Sequence, residues 1–197
     1  MNIITLDLEM NKTDISNKII QLGYTINNAK DGRVLVQRRI YINPKEQITE
    51  FIQQLTGIYQ QQVDMGVTLQ EAYQRMVDDI AKHQVSKFPL QWGLDHFELR
   101  QQLNLEWNDY AFSRRCIDIK ALYQAYAMAR PNGKTIAGLG KACEVLNVEF
   151  EGRQHDALND AVATFKVYRA LVYKMIKYDE LQYVINNRNK KEGLNGY

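Results

Sequence analysis

The sequence predicts an α/β domain: a five-stranded mixed sheet flanked by helices on both faces. Three observations carry this. Strand-like apolar runs come first and in close succession, over residues 2–10, 19–26 and 33–42. From Pro44 onward the spacing of apolar residues turns helical. Two later short apolar runs, at 88–94 and 114–119, are each followed by helical sequence. A meander of strands followed by strands alternating with helices defines one domain with antiparallel and parallel neighbours.

The first strand raises a question of its own. Successive side chains on a strand point to opposite faces. Ile4, Leu6, Leu8 and Met10 therefore share one face, and Ile3, Thr5, Asp7 and Glu9 the other. Two carboxylates facing the same way on an apolar strand repel, and burying either one unpaired is costly. Something positive should sit between them. Ile19 to Ile26 make the second strand, residues 27–32 (Asn-Asn-Ala-Lys-Asp-Gly) a turn, and Arg33 to Ile42 the third strand.

Residues 46–56 and 68–84 carry apolar positions at helical spacing. "FPLQWGL" and "RRCIDI" are short strands, and Thr135 to Leu146 form a further helix. The longest helix runs from 157 to about 177, with Leu158, Ala161, Phe165, Tyr168, Val172 and Met175 at three- and four-residue steps. Residues 186–197, "NNRNKKEGLNGY", read as a frayed tail. The domain thus spans residues 1–178, with a helix end and flexible tail over 179–197.

A chain of 197 residues suits one domain, burying about 70% of the surface its unfolded form exposes. It holds no run of about 18 apolar residues to span a membrane. No basic stretch and apolar signal region opens it, so secretion is not expected. Cys116 and Cys143 are isolated and lack metal-type spacing; reduced packing residues in a cytoplasmic protein are expected. The formal charge of +2 permits a polyanionic partner without the basic stripe that would announce one.

Each candidate site residue also has a plain structural explanation. An edge strand with one wet face would tolerate Asp7 and Glu9, although Leu6 and Leu8 argue for a covered position. Asp95, in "WGLDHFELRQQL", stands at a helix start with Glu98 at capping-box spacing. In "EGRQHDALNDAVATF", Asp156 could cap the long helix and His155 could be a loop residue. Five helical residues would separate His155 from Asp160 by about 140°, which places His155 in the loop and Asp160 on the helix. Ala157 and Ala161 beside Asp160 suggest a closely approached helix face.

Four acidic groups at element ends, with one imidazole nearby, suit hard divalent cations, which prefer oxygen ligands. Two such ions about 4 Å apart clamp the attacking and leaving oxygens of a phosphoryl displacement. A histidine can take the proton from the attacking water.

"LDLEM", "WGLDHFELRQQL" and "HDALNDA", in that order, resemble the three motifs of the DnaQ-like, or DEDDh, 3′–5′ exonuclease superfamily. "IIQLGYTI" and "YINPKEQITEFIQQLTGI" resemble supporting segments, and the likeness covers residues 2 to about 175. Trp92-Gly93, "CIDIK" and "FEGRQH" are most similar to the branch of histone-mRNA 3′-exonucleases and related bacterial proteins. The tyrosine branch of the superfamily would need Tyr at 156, where this chain has Asp156.

The resemblance implies a ribonuclease H-like fold and an exonuclease domain over residues 1–178. It implies hydrolysis of the 3′-terminal phosphodiester of single-stranded RNA or DNA, with two Mg2+ or Mn2+ ions and release of 5′-mononucleotides. Asp7, Glu9, Asp95 and Asp160 would bind the metal ions, Glu9 would help orient the water, and His155 would be the general base. Met10, where many relatives have Thr, and Leu55, Thr56 and Ile58 would contact the terminal nucleotide; Gly57 also suits an ordinary helix end. Arg153 reads as a solvated loop charge. The rival readings are a non-catalytic nucleic-acid- or protein-binding module that keeps the fold, and an endonuclease or integrase of the same fold.

Overall fold

A computed structural model describes residues 1–130 and 138–191, with side chains through 180 and at 182 and 183. The chain opens with a meander, β1 (Asn2–Lys12), β2 (Asn17–Asn28) and β3 (Val34–Tyr41). Next come α1 (Glu50–Thr56), α2 (Gln60–Asp64), α3 (Leu69–Lys82), β4 (Leu90–Gln91) and α4 (Asp95–Gln102). The chain continues through β5 (Ile117–Asp118), α5 (Ile119–Met128), α6 (Leu139–Leu146) and α7 (Ala157–Lys191). The sheet order is β3-β2-β1-β4-β5, antiparallel on the meander side of β1 and parallel on the other.

β1 is central, so both of its faces are covered. Ile4, Leu6 and Leu8 pack with Tyr73 and Met76 of α3 and Leu99 of α4. Ile3 packs in a second cluster with Tyr123 of α5, Cys143 of α6 and Phe165 of α7. Burying each such side chain contributes about 1.5–3 kcal/mol. The alternation expected from the sequence thus sorts β1 between two helical layers, leaving Asp7 and Glu9 on the α7 side.

Local chemistry sets several boundaries. The 46–56 helix begins only at Glu50, because the Thr49 side chain accepts from the Ile52 amide at 3.3 Å and caps it. Gly57 ends it in the left-handed region, at φ 74°. The two later strands shrink to two residues each, and α2 is a short helix that the apolar spacing did not announce. Of the predicted 135–146 helix, 139–146 is observed, and 135–137 lie outside the described residues. The long helix continues to Lys191, so residues 186–191 of the expected tail are helical; 192–197 lie outside the described residues. Among the described residues no helix is long and apolar enough to cross a membrane.

Candidate active site

The site is built where the start of α7 lies against the centre of the sheet. In the β1–β2 ladder Asp7 stands opposite Gly23, and Glu9 opposite Gln21. A Cβ on Gly23 would overlap the backbone of Ala157 and Leu158, so the missing side chain is what lets the helix start reach the strand. Ala157 and Ala161 are fully buried, as their small size beside Asp160 foretold. Gln21, buried in the middle of the sheet, holds the helix start with its amide. Its Oε1 accepts from the Ala157 N–H at 2.6 Å, and its Nε2 donates to Asp156 Oδ2 at 3.3 Å. Asp156 is the cap of α7, accepting from the Asn159 amide at 3.1 Å, and it is paired with Arg39 at 2.8 Å.

This packing sets Asp160 over the Asp7/Glu9 face. One ligand atom each of Glu9, His155 and Asp160 lie within 4.8 Å of one another. His155 sits in the loop ahead of α7, exposed, with a left-handed backbone at φ 60°. Its amide donates to Asp160 Oδ2 at 3.3 Å, which ties the loop to the carboxylate.

Asp95 is the first residue of α4, one place too late to cap it. The cap position belongs to Leu94, which makes no side-chain hydrogen bond there. Glu98, the other half of the suspected capping box, accepts instead from Asn17 and Gln102. The cap explanation for Asp95 is therefore wrong, because the helix starts one residue earlier than that explanation requires. Its Oδ2 is buried without a hydrogen-bond partner, and so is Oδ1 of Asp160.

Each of the four acids is held above the ordinary carboxyl range, by burial first and then by acidic neighbours. Burial, then the charges of Asp95, Asp160 and Glu9, hold Asp7 well above the ordinary carboxyl range. Burial and then Asp160 and Asp95 push Glu9 up to about 8. Asp95 is raised to about 7 by burial, then by Asp160 and by Asp118, a fifth carboxylate that caps α5. Asp160 is raised to about 7, chiefly by burial and against the hydrogen bond from His155. No ion pair among the described residues involves any of the four acids. Clustered carboxylate oxygens, two of them buried and unpartnered, fit a hard divalent cation.

A cavity of about 420 Å³ is lined by Asp7, Asp160 and His155 together with Trp92, Lys141, Phe150 and Gln154. The polar residue inside the apolar run "IIQLGYTI" was the available signal for Gln21; Trp92 and Phe150 offered none beyond being aromatic. The expected nucleotide contacts divide. Leu55 is 36% exposed. Thr56 is buried, donating to the Ile52 carbonyl and accepting from the Ile58 amide, and Ile58 is buried in an apolar cluster. Both side chains are thus engaged in packing at the end of α1. Met10 is half-buried against the cluster containing Leu6 and Leu8, beyond a register shift at Glu9/Met10. Arg153 is no free solvated charge: its guanidinium donates to the carbonyls of Gln54 and Leu55.

Comparison with known proteins agrees with this arrangement. The family model RNase_T, described as Exonuclease, matches residues 4–168. Human ERI1 exoribonuclease 2 is 26% identical over 199 residues, a match covering 89% of this chain and 28% of that protein. The chain therefore spans little more than a quarter of that relative's length. The nuclease domain of 3′hExo, a DEDDh family member solved bound to rAMP, superposes with a TM-score of 0.74 at 20% identity, over 88% of this chain and 92% of that one. A 3′-exonuclease solved in recognition of the histone mRNA stem-loop gives 0.73 at 20% identity, over 88% and 82%. The fold is the ribonuclease H-like fold that the motifs implied. This chain belongs to the Exonuclease family.

Proposed function

We propose that this chain is a metal-dependent 3′–5′ exonuclease that removes 5′-mononucleotides from the 3′ end of single-stranded nucleic acid, RNA before DNA. The observation that carries it is the grouping of Glu9, His155 and Asp160 within ligand distance of one another, with Asp7, His155 and Asp160 lining one cavity. The preference for RNA is supported by the exoribonuclease among the relatives. Residues 1–178 form the exonuclease domain in this reading, and the free thiols of Cys116 and Cys143 suit a reducing compartment such as the cytoplasm.

Two magnesium or manganese ions held by the four acids would supply Lewis-acid stabilisation of charge on the attacking and leaving oxygens. The chain's own groups do the rest. Glu9 orients the water, and the His155 imidazole, free in its loop, takes the proton. Of the four residues expected to contact the terminal nucleotide, Leu55, on the exposed end of α1, is the most accessible, with Met10 half-buried.

The test is product analysis on matched single-stranded RNA and DNA oligomers labelled at the 3′ end. Labelled mononucleotide should appear with Mg2+ or Mn2+ and vanish with chelator. Binding without cleavage would instead support the non-catalytic module, and internal fragments an endonuclease. His155→Ala should lower kcat by about 10²- to 10⁴-fold. Calorimetric Mn2+ titration of that variant should still show metal binding through the carboxylates; unchanged kcat would remove His155 from proton transfer.

A further inference from the structure

We propose that Arg153 is a positioning residue, clamping the loop that carries His155 onto the C-terminal end of α1. The proposal rests on the exonuclease reading and adds to it a residue that acts through His155. The last carbonyls of a helix have no intrahelical partners and form its negative end. α1 has no basic residue in its own last turn. Arg153, 98 and 99 positions along the chain, supplies the cation: its Nη2 donates to Leu55 O at 3.1 Å and to Gln54 O.

The receiving surface is shaped for this guanidinium. Gly57, the left-handed cap of α1, lies directly under it, and a Cβ there would meet Arg153 Nη1. The loop side is equally fixed. Asn159 Nδ2 donates to the Arg153 carbonyl at 3.0 Å, and Asn159 Oδ1 accepts from Arg39 at 3.2 Å. Gly152, at φ 80°, has the Asn159 side chain where a Cβ would stand.

His155 is therefore bracketed. Two residues before it the chain is held to α1, and its own amide is held to Asp160. The ring makes no hydrogen bond among the described residues, so backbone placement is what aims it. The same clamp ties Leu55 to the base, so a nucleotide seated against Leu55 and the imidazole that acts on it share one mount. An exposed hydrogen bond to a carbonyl contributes little to global stability. Its effect should appear in the chemical step.

The experiment measures kcat and KM of the full chain on a single-stranded RNA oligomer. Arg153→Ala should lower kcat by about 10- to 100-fold with KM little changed. Arg153→Lys, which keeps a cationic donor, should recover most of the loss. In a His155→Ala background, Arg153→Ala should cost nothing further, because the group it positions is gone. Hydrogen exchange should show the Gln154 and His155 amides less protected in Arg153→Ala, with core amides unchanged. Unchanged kcat, or an equal loss with and without His155, would overturn the proposal. A wild-type chain without exonuclease activity would sink the exonuclease reading instead, and the exchange measurement would still show whether Arg153 holds the loop.

Discussion

Asp160→Asn should abolish turnover, by about 10³-fold or more, while raising the melting temperature of the chelated protein at pH 8. The two effects share one origin. Without metal, Asp160 is a half-buried carboxylate with a buried, unpartnered Oδ1, raised to about 7 mainly by desolvation. A carboxyl whose folded pKa lies above its unfolded value favours the folded state fully only below the unfolded value. That contribution is lost as pH rises through the folded value. For Asp160, and for Glu9 raised to about 8, the window runs from roughly pH 4 to pH 8.

Chelated wild-type protein should accordingly melt lower at pH 8 than at pH 5, and Mg2+ should reverse most of that loss. Asn keeps the shape and removes the charge. A gain of about 1–2 kcal/mol at pH 8 corresponds to roughly 3–8 °C in a chain of this size. Calorimetry with chelator at both pH values, beside the nucleotide-release assay, checks both halves. A variant that melts lower at pH 8, or retains turnover, would mean that Asp160 is not a strained metal ligand.

Gly23→Ala should be the most damaging small substitution outside the acids. The added methyl would overlap backbone atoms of Ala157 and Leu158, which have no rotamer with which to yield. Either β2 or the start of α7 must move, and overpacking of this kind costs about 1–3 kcal/mol, occasionally more. The displaced segment carries Asp156, Asp160 and the His155 loop, so activity should fall further than stability does. We expect a melting temperature lower by roughly 3–10 °C. At a temperature where the variant is still folded, kcat should be down about 10²-fold. Circular dichroism melts and turnover on the same sample check this. Wild-type values in both would show that the strand and helix have room to separate.

The four acids also show what could be read from the sequence. Asp7 and Glu9 were legible because a period of two puts both on one face whatever else the chain does. Asp160 was legible because a helix with small residues beside an acid implies close approach. Asp95 was obscured by its neighbours, since Asp with Glu98 three places on imitates a cap; only the actual helix start, at Leu94/Asp95, separates the two explanations.

Other features had no local signature at all. Arg153 reaches carbonyls of Gln54 and Leu55, a contact that no window of sequence contains. Gln21 differs in standing out as a polar residue in an apolar run, but its partners Ala157 and Asp156 are likewise far along the chain. Thr56 and Ile58 matched a family segment by type, but their burial depends on how the end of α1 folds over its own cluster. The extents of β4 and β5 were overread because apolar residues such as Phe88 lie outside the ladder and are exposed.

The shortness of those two strands bears on how the cavity is held together. β1 is laddered to β2 along eleven residues, but to β4 at one pair, Thr5 with Leu90, and β4 meets β5 at two. Segments with few backbone bonds open at lower free energy than the rest of a domain. Asp95 hangs from this thinly stitched half, whereas Asp7 and Glu9 ride on the well-stitched one. Transient breathing should therefore begin at the seam between β1 and β4 and carry Asp95 away from its companions first.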